Sequence, residues 1–293
     1  MKFTLIGGAG FIGSQLCYNL TDAGHKVTVI DNLTYGQQQP EIPAVNFIQD
    51  DVENIGRYVT ELNQADYVFF MASPRLNEMN DIPLHQPHLQ GLKTTLDICK
   101  DNNTEVIFFS SCSVYGYRKE IVSELTPTKV TSLYSKLKID SENLLKKYDI
   151  DRFKIIRLST LFGLSRVGRN DLLVNNFVKD ALFSQYLEVY DPEAWRPNIN
   201  LQTLCVVLKE LSEKNAFQDI LNIGFNSMNT TKQELILKMV TRNKLDFTVK
   251  YYSPDDSRSY KVDFSKMEKL VKEEPIQYVD GIDHLIQNFK ERT

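Results

Sequence analysis

Basic residues form no cluster in this chain, and a net charge of -4 without a cationic patch argues against a nucleic-acid surface. No apolar run reaches the ~18–20 residues that a membrane helix needs. Met1-Lys2 leads straight into a strand pattern that glycines soon interrupt, so no secretory leader is expected. The four cysteines (Cys17, Cys99, Cys112 and Cys205) lie far apart and lack metal-ligand spacing. Cys17 and Cys99 fall in helical patterns near apolar neighbours, so reduced, buried thiols are expected and a metal site is not. Internal repeats and low-complexity linkers are also missing. These absences lead to the expectation of a cytoplasmic globular protein with no nucleic-acid and no membrane partner. Its 293 residues, 42% hydrophobic and 25% charged, suffice for one large core or two domains.

What is present begins at the N-terminus. Phe3 to Ile6 reads as a buried strand that runs into Gly7, Gly10 and Gly13, spaced G-x-x-G-x-x-G. Phe11, Ile12, Leu16 and Leu20 then recur at helical spacing, which puts the glycines at a strand-to-helix turn. Gly7 permits the tight turn, Gly10 lets backbone approach a pyrophosphate, and Gly13 lets the helix pack closely on the sheet. The helix start offers unpaired N–H groups and partial positive charge to phosphates. The next strand, Lys26–Ile30, ends in Asp31, where a dinucleotide site places the carboxylate for the adenosine ribose hydroxyls.

Strand and helix patterns alternate through the first half, as a parallel sheet covered on both faces requires. Further strands are expected at Val45–Ile48, Asp66–Phe70, Glu105–Phe109 and Phe153–Arg157, with helices over Leu89–Cys99 and roughly Ser132–Lys147. Asp31, Asp50, Ser73 and Ser111 all follow strand C-terminal ends, the edge along which open α/β sheets bind ligands. A carboxylate of the Asp50-Asp51 pair either holds an adenine amino group or caps the helix beginning near Val52, and the sequence leaves both open. Beyond Gly163 an amphipathic helix over Leu172–Leu187 is expected. A turn-rich stretch from Tyr190 follows, then a strand at Ile220–Ile223 rejoining the sheet, a helix at Thr231–Met239, a strand at Phe247–Tyr251 and two short helices after Ser265. The fold class is α/β, a Rossmann-type doubly wound parallel sheet over 1–163, with a smaller and mainly substrate-binding domain over 164–293.

Two segments carry reaction chemistry. Phe109-Ser-Ser111-Cys-Ser-Val-Tyr-Gly116 lies just past the fifth strand, and Tyr134-Ser-Lys-Leu-Lys138 puts a phenol and an ammonium one helical turn apart. Such a lysine is expected to lower the tyrosine pKa from its ordinary ~10 towards neutrality. The tyrosine then takes a proton from an alcohol while hydride leaves the same carbon, and Ser111 steadies the oxygen. Lys136, two residues along the helix, points away.

In these motifs the chain resembles the extended short-chain dehydrogenase/reductase family, particularly its nucleotide-sugar epimerases and dehydratases. The resemblance rests on Gly7, Gly10 and Gly13; on Asp31-Asn32-Leu33; on Asp50-Asp51-Val52; on Met71-Ala72-Ser73; and on Ser111, Tyr134 and Lys138. Arg157 to Gly163, Arg169 to Asn175 and Trp195-Arg196-Pro197 extend it over nearly the whole chain. It implies NAD held along the edge formed by these glycines, Phe11, Ile12, Asp31, Asn32, Asp50, Asp51, Val52, Met71, Ala72 and Ser73. It further implies Ser111 and Tyr134 at the reacting oxygen, Lys138 on the nicotinamide ribose, and Asn175 and Arg196 on a nucleotide-diphosphate sugar. Arg258 is a second phosphate ligand or a solvated loop charge, and relatives' homodimers would use the helices at Leu89–Cys99 and Leu133–Leu145.

Departures narrow the reaction. Dehydratases of the family carry an acid pair where this chain has Cys112 and Ser113, which disfavours dehydration. Cys112 reads better as a small packing residue than as a base. Redox at one carbon remains: a 4-epimerase with retained NAD, or alternatively a dehydrogenase or 4-ketoreductase that exchanges its cofactor. Asp31 favours NAD, because its charge would repel a 2′-phosphate. A non-catalytic NAD-binding protein would be expected to lack the tyrosine or the lysine, and this chain keeps both.

Overall fold

A computed structural model describes residues 1–34, 45–74, 84–148, 150–252 and 259–291. Arg258 and most of the polar loop read after Ser253 lie outside the described residues. In chain order the first half holds β1 (Lys2–Ile6), α1 (Phe11–Asp22), β2 (Lys26–Asp31), β3 (Val45–Gln49), α2 (Val59–Asn63), β4 (Tyr67–Phe70), α3 (His85–Cys99), β5 (Glu105–Ser111), β6 (Ile121–Val122), α4 (Leu133–Leu145), β7 (Phe153–Leu158) and β8 (Thr160–Phe162). The second half holds α5 (Leu173–Phe183), β9 (Tyr186–Tyr190), β10 (Trp195–Asn200), α6 (Leu201–Glu213), β11 (Ile220–Ile223), β12 (Asn229–Thr231), α7 (Lys232–Thr241), β13 (Thr248–Tyr252), β14 (Lys261–Val262), α8 (Ser265–Glu268) and α9 (Tyr278–Glu291).

Seven strands make one sheet in the order β11-β7-β5-β4-β1-β2-β3, and every pairing is parallel. This is an α/β Rossmann-type fold. Alternation along β5 explains why both faces need cover. Val106 and Phe108 pack with Leu92, Leu96 and Leu145 on the side of α3 and α4. Ile107 and Phe109 pack with Leu16, Leu20, Leu204 and Leu208 on the side of α1 and α6. The apolar residues of α3 and α4 are thus used inside the chain. Their exposed face carries ion pairs, among them His85–Asp140–Lys136 and Lys93–Asp97.

Several expectations need correction. The helix expected to reach Leu187 ends at Phe183, because Gln185 takes a left-handed φ of 50° and turns the chain into β9. β9 then pairs in parallel with β13. The stretch read as turn-rich contains β10, which is almost wholly buried, and α6 follows it directly. Asn200 caps α6 by accepting the Gln202 N–H, and Leu204, Val207, Leu208 and Leu211 form its buried stripe. The second tail helix, α9, is 14 residues long rather than short. No helix among the described residues is long and apolar enough to cross a membrane.

The order reverses at β1, which lies between β4 and β2, so a crevice opens beyond the C-terminal ends of β1 and β4. Gly7 sits in that crevice with φ 82°, and a Cβ there would lie 2.5 Å from the Ala72 backbone nitrogen. We expect Gly7→Ala to destabilise the protein by about 2–4 kcal/mol, adding left-handed strain to overpacking. Urea unfolding reads this directly, and an unchanged midpoint would contradict the close approach.

Candidate active site

The N-terminal turn is built by backbone hydrogen bonds. The Gly7 N–H donates to the Ile30 carbonyl at 2.8 Å, while the Met71 and Ala72 N–H groups both donate to Ile6, at 2.9 and 2.8 Å. Gly13 lies against Gly8, where a Cβ would come within 2.5 Å of backbone. Gly10 faces open space: its Cβ would meet only the Gly7 carbonyl, at 3.4 Å. Helix α1 starts at Gly10 with no side-chain cap and no acidic residue in its first turn. The Ser165 hydroxyl donates to the Phe11 carbonyl at 2.7 Å and ties the loop after Gly163 to this turn.

Asp31 is buried at the end of β2, and its carboxylate accepts the Ala9 N–H at 3.0 Å and the Leu33 N–H at 2.9 Å. Burial raises its pKa, and those two N–H groups oppose the shift. Asn32 donates to Asp51 at 2.5 Å, and Asp51 caps the 3-10 turn Val52–Arg57 through the Glu53 N–H. Asp50 faces the same turn. One oxygen accepts from Asp51 N and Asn54 Nδ2, and the other from Arg57 and the Tyr58 hydroxyl. These bonds, led by Tyr58, hold its carboxyl at about 2. With both lone pairs of each oxygen engaged, Asp50 has no acceptor left for an adenine amino group, and the residue that caps the turn beginning at Val52 is its neighbour Asp51. Met71, Ala72 and Ser73 line the mouth of the crevice half-buried.

The candidate reaction residues meet at the end of β5. Ser111 caps the 3-10 turn Cys112–Tyr115 by accepting the Ser113 N–H at 3.2 Å, and its side chain is hydrogen-bonded to Tyr134. Helix α4 begins beside it because Ser132 and Ser135 form a reciprocal capping box. Lys138 is buried one turn on. Its Nζ donates to the Phe109 carbonyl at 2.8 Å and lies 5.5 Å from the Tyr134 ring centre.

The electrostatics differ from the expectation that the lysine lowers the tyrosine pKa. Burial raises Tyr134, and what opposes it is the Ser111 hydroxyl and the Arg169 guanidinium. Burial also pulls Lys138 down to about 7 against the charge of Glu142. The spacing brings the two groups together, but desolvation is the largest influence on each. Cys112 is buried, its thiol is pushed up by burial, and it donates to the Arg157 carbonyl at 3.2 Å, so it has packing rather than acid–base character.

The substrate-side candidates diverge. Asn175 is buried and clamps a loop: it accepts the Gly163 N–H at 2.9 Å and donates to the carbonyls of Gly163 and Arg169. Arg196 is buried in β10 and donates to the Trp195 carbonyl at 2.9 Å. A cavity of about 250 Å³ opens between Phe11, Gly163, Arg169, Asn175, Lys179 and Phe289. Arg169, paired with Asp171 by two contacts of 2.7 Å, lines this cavity and is a candidate residue to which the sequence reading gave no role of its own. Glu142 is another. Its signal was available, since Tyr134, Lys138 and Glu142 are four apart and share one helix face. Among the described residues, no group of His, Cys, Asp and Glu is arranged to hold a metal ion.

The family model for the NAD dependent epimerase/dehydratase family matches residues 3–224. The chain belongs to this family. UDP-glucuronic acid decarboxylase 3 of Arabidopsis thaliana is 26% identical over 316 residues, covering 100% of this chain and 90% of that protein. UDP-glucose 4-epimerase of Lactobacillus helveticus is 25% identical over 253 residues, covering 76% of each. In fold, the chain is similar to UDP-glucuronic acid 4-epimerase from Bacillus cereus, solved with UDP-glucuronic acid and NAD. The TM-score is 0.85 at 23% identity, with all of both chains covered.

The family is NAD-dependent, and the crevice fits that cofactor. Gly10 leaves room against an uncapped, acid-free helix start, as a phosphate requires. Asp31 keeps one lone pair on each oxygen for ribose hydroxyls. We expect Asp31→Asn to weaken NAD binding about 10- to 100-fold, the value of a charged hydrogen bond, and to narrow the preference over NADP. Calorimetric titration with both nucleotides measures it, and an unaltered NAD affinity would remove Asp31 from the site.

Proposed function

We propose that the chain is an NAD-dependent epimerase of a nucleotide-diphosphate sugar. It oxidises a hydroxyl, most simply at C4, to a transient ketone and re-reduces it on the other face. One observation carries this reading: Ser111, Tyr134 and Lys138 converge at the end of β5 while the flanking positions, Cys112 and Ser113, offer no carboxylic acid.

In this reading residues 1–163, completed by β11, hold the cofactor, and the rest of 164–293 mainly holds the sugar nucleotide. Gly7, Gly10, Phe11, Ile12 and Gly13 receive the pyrophosphate, and Asp31 and Asn32 the adenosine ribose. Bound NAD supplies the hydride acceptor and, on return, the donor. Tyr134 removes the hydroxyl proton and later gives one back, which lets one group serve both directions. Ser111 holds the reacting oxygen by hydrogen bonding. Lys138, anchored by the Phe109 carbonyl beside the Tyr134 ring, reaches towards the nicotinamide ribose. Arg196 and Arg258 are assigned to the diphosphate on the resemblance, and a homodimer is proposed on the same ground.

A second reading follows from the decarboxylase relatives, which span the whole chain. A C4 ketone lies β to a C5 carboxylate, so a uronic acid oxidised at C4 can lose carbon dioxide. The oxidising half-reaction is shared, and the products separate the readings. The alternative dehydrogenase or 4-ketoreductase separates from both by exchanging its cofactor.

We expect the purified protein, once denatured, to release about one NAD per chain, as a cofactor regenerated each cycle requires. With UDP-glucose or UDP-glucuronic acid we expect the C4 epimer without carbon dioxide, and a Tyr134→Phe variant slowed about 10²- to 10⁴-fold. Empty protein with only weak NAD or NADPH binding would favour the dehydrogenase. Carbon dioxide from the uronic acid would favour the decarboxylase.

A further inference from the structure

Below the reaction residues lies a buried ion pair that the proposed chemistry does not use. Glu142, one turn beyond Lys138 on α4, has no solvent exposure, and Arg157 on β7 is 2% exposed. The Arg157 Nε donates to one carboxylate oxygen at 3.0 Å and a terminal nitrogen to the other at 2.6 Å. The Ser110 hydroxyl, next to Ser111, donates to Glu142 at 2.6 Å. Arg157 also donates to the Tyr115 hydroxyl at 3.0 Å, and Tyr115 donates to Asn222 on β11 at 2.7 Å. The pair therefore joins α4, β5, β7 and β11 under the site. A buried ion pair adds little to stability, since desolvation offsets its Coulombic gain, which leaves room for another role.

Its neighbour supplies one. The groups around Lys138 are Tyr134 and Glu142 from its own helix, the Phe109 carbonyl with the Ser110 and Ser111 hydroxyls from β5, and His88 from α3. Arg157 from β7 stands behind Glu142, and Lys146, one turn further on at the end of α4, lies 3.9 Å from the same carboxylate. Burial holds His88 well below the usual imidazole range, so it brings no positive charge at neutral pH. Among the described residues Glu142 is the one anion acting on Lys138, and it opposes a burial effect that takes the ammonium to about 7.

We propose that Glu142 is a positioning residue whose carboxylate, gripped by Arg157 and Ser110, stands one helical turn from Lys138 as its counter-anion and holds α4 in register with the strand end that carries Ser111. The proposal rests on the reading of Lys138 as a reaction residue only for its consequence in catalysis, not for the titration itself. The charges give opposite signs. Glu142→Gln removes the anion and strands the guanidinium, so Lys138 loses its proton at lower pH. Arg157→Met leaves the anion with only Lys146, 3.9 Å away one turn along the helix, so Lys138 keeps its proton to higher pH.

The test is a pH titration of the full chain by carbon–proton NMR with 13Cε-labelled lysine, the Lys138 signal being identified by its loss in Lys138→Arg. We expect Glu142→Gln to move the Lys138 midpoint down by about one pH unit and Arg157→Met to move it up. If Glu142→Gln does not fold, Glu142→Gln combined with Arg157→Met lacks the stranded cation and is again expected to move the midpoint down. Unmoved midpoints, or shifts of the same sign in both single variants, would overturn the proposal. The alkaline limb of kcat/KM for epimerisation should follow the same order. Opposite NMR shifts in a protein without epimerase activity would sink the functional reading and leave this one standing.

Discussion

Helix α4 is fastened to strand β5 at two points, by Lys138 on the Phe109 carbonyl and by Ser110 on Glu142. Everything proposed for the site depends on that fastening. Ser111 comes from the strand end and Tyr134 from the helix, so their hydrogen bond persists only while the two elements keep their register. The bonds are buried, where an unmade hydrogen bond costs about 1–3 kcal/mol. A slip of one residue would leave several such groups unpaired at once. The arrangement thus converts buried polarity into positional precision.

The cofactor edge is set by a different constraint, the topological reversal at β1. Parallel strands on either side leave their C-terminal loops splayed, and the crevice between them takes the ligand. Gly7, Gly8 and Gly13 let backbone pass within contact of backbone there, while Asp31 braces the turn through Ala9. The loop after Gly163 reaches back to the same turn through Ser165, which links the half of the chain assigned to the sugar to the half assigned to NAD.

Much of this was legible in the sequence because it is local. A strand, a glycine turn, an amphipathic helix and a following Asp31 lie within the first 31 residues, and Tyr134 and Lys138 share a face by spacing alone. The sheet strands likewise announce themselves as apolar runs. Three things were not legible. Arg157 finds Glu142 only after β7 is set beside β5, which is a tertiary fact. The sign of the Tyr134 shift depends on burial, which spacing does not report. Helix α6 has a regular stripe from Leu204 to Leu211, but the preceding Trp195-Arg-Pro reads as turn until β12 and β8 pair with it on either side.

The central claim is that the sugar carbon is oxidised and then reduced by the same hydride. It is tested most directly with a nucleotide sugar carrying deuterium at C4, incubated with the protein in ordinary water. The account predicts a C4 epimer that keeps its deuterium on the inverted carbon, because the hydride never meets solvent. An epimer that has exchanged its deuterium for solvent hydrogen would mean inversion by proton abstraction, and would contradict it.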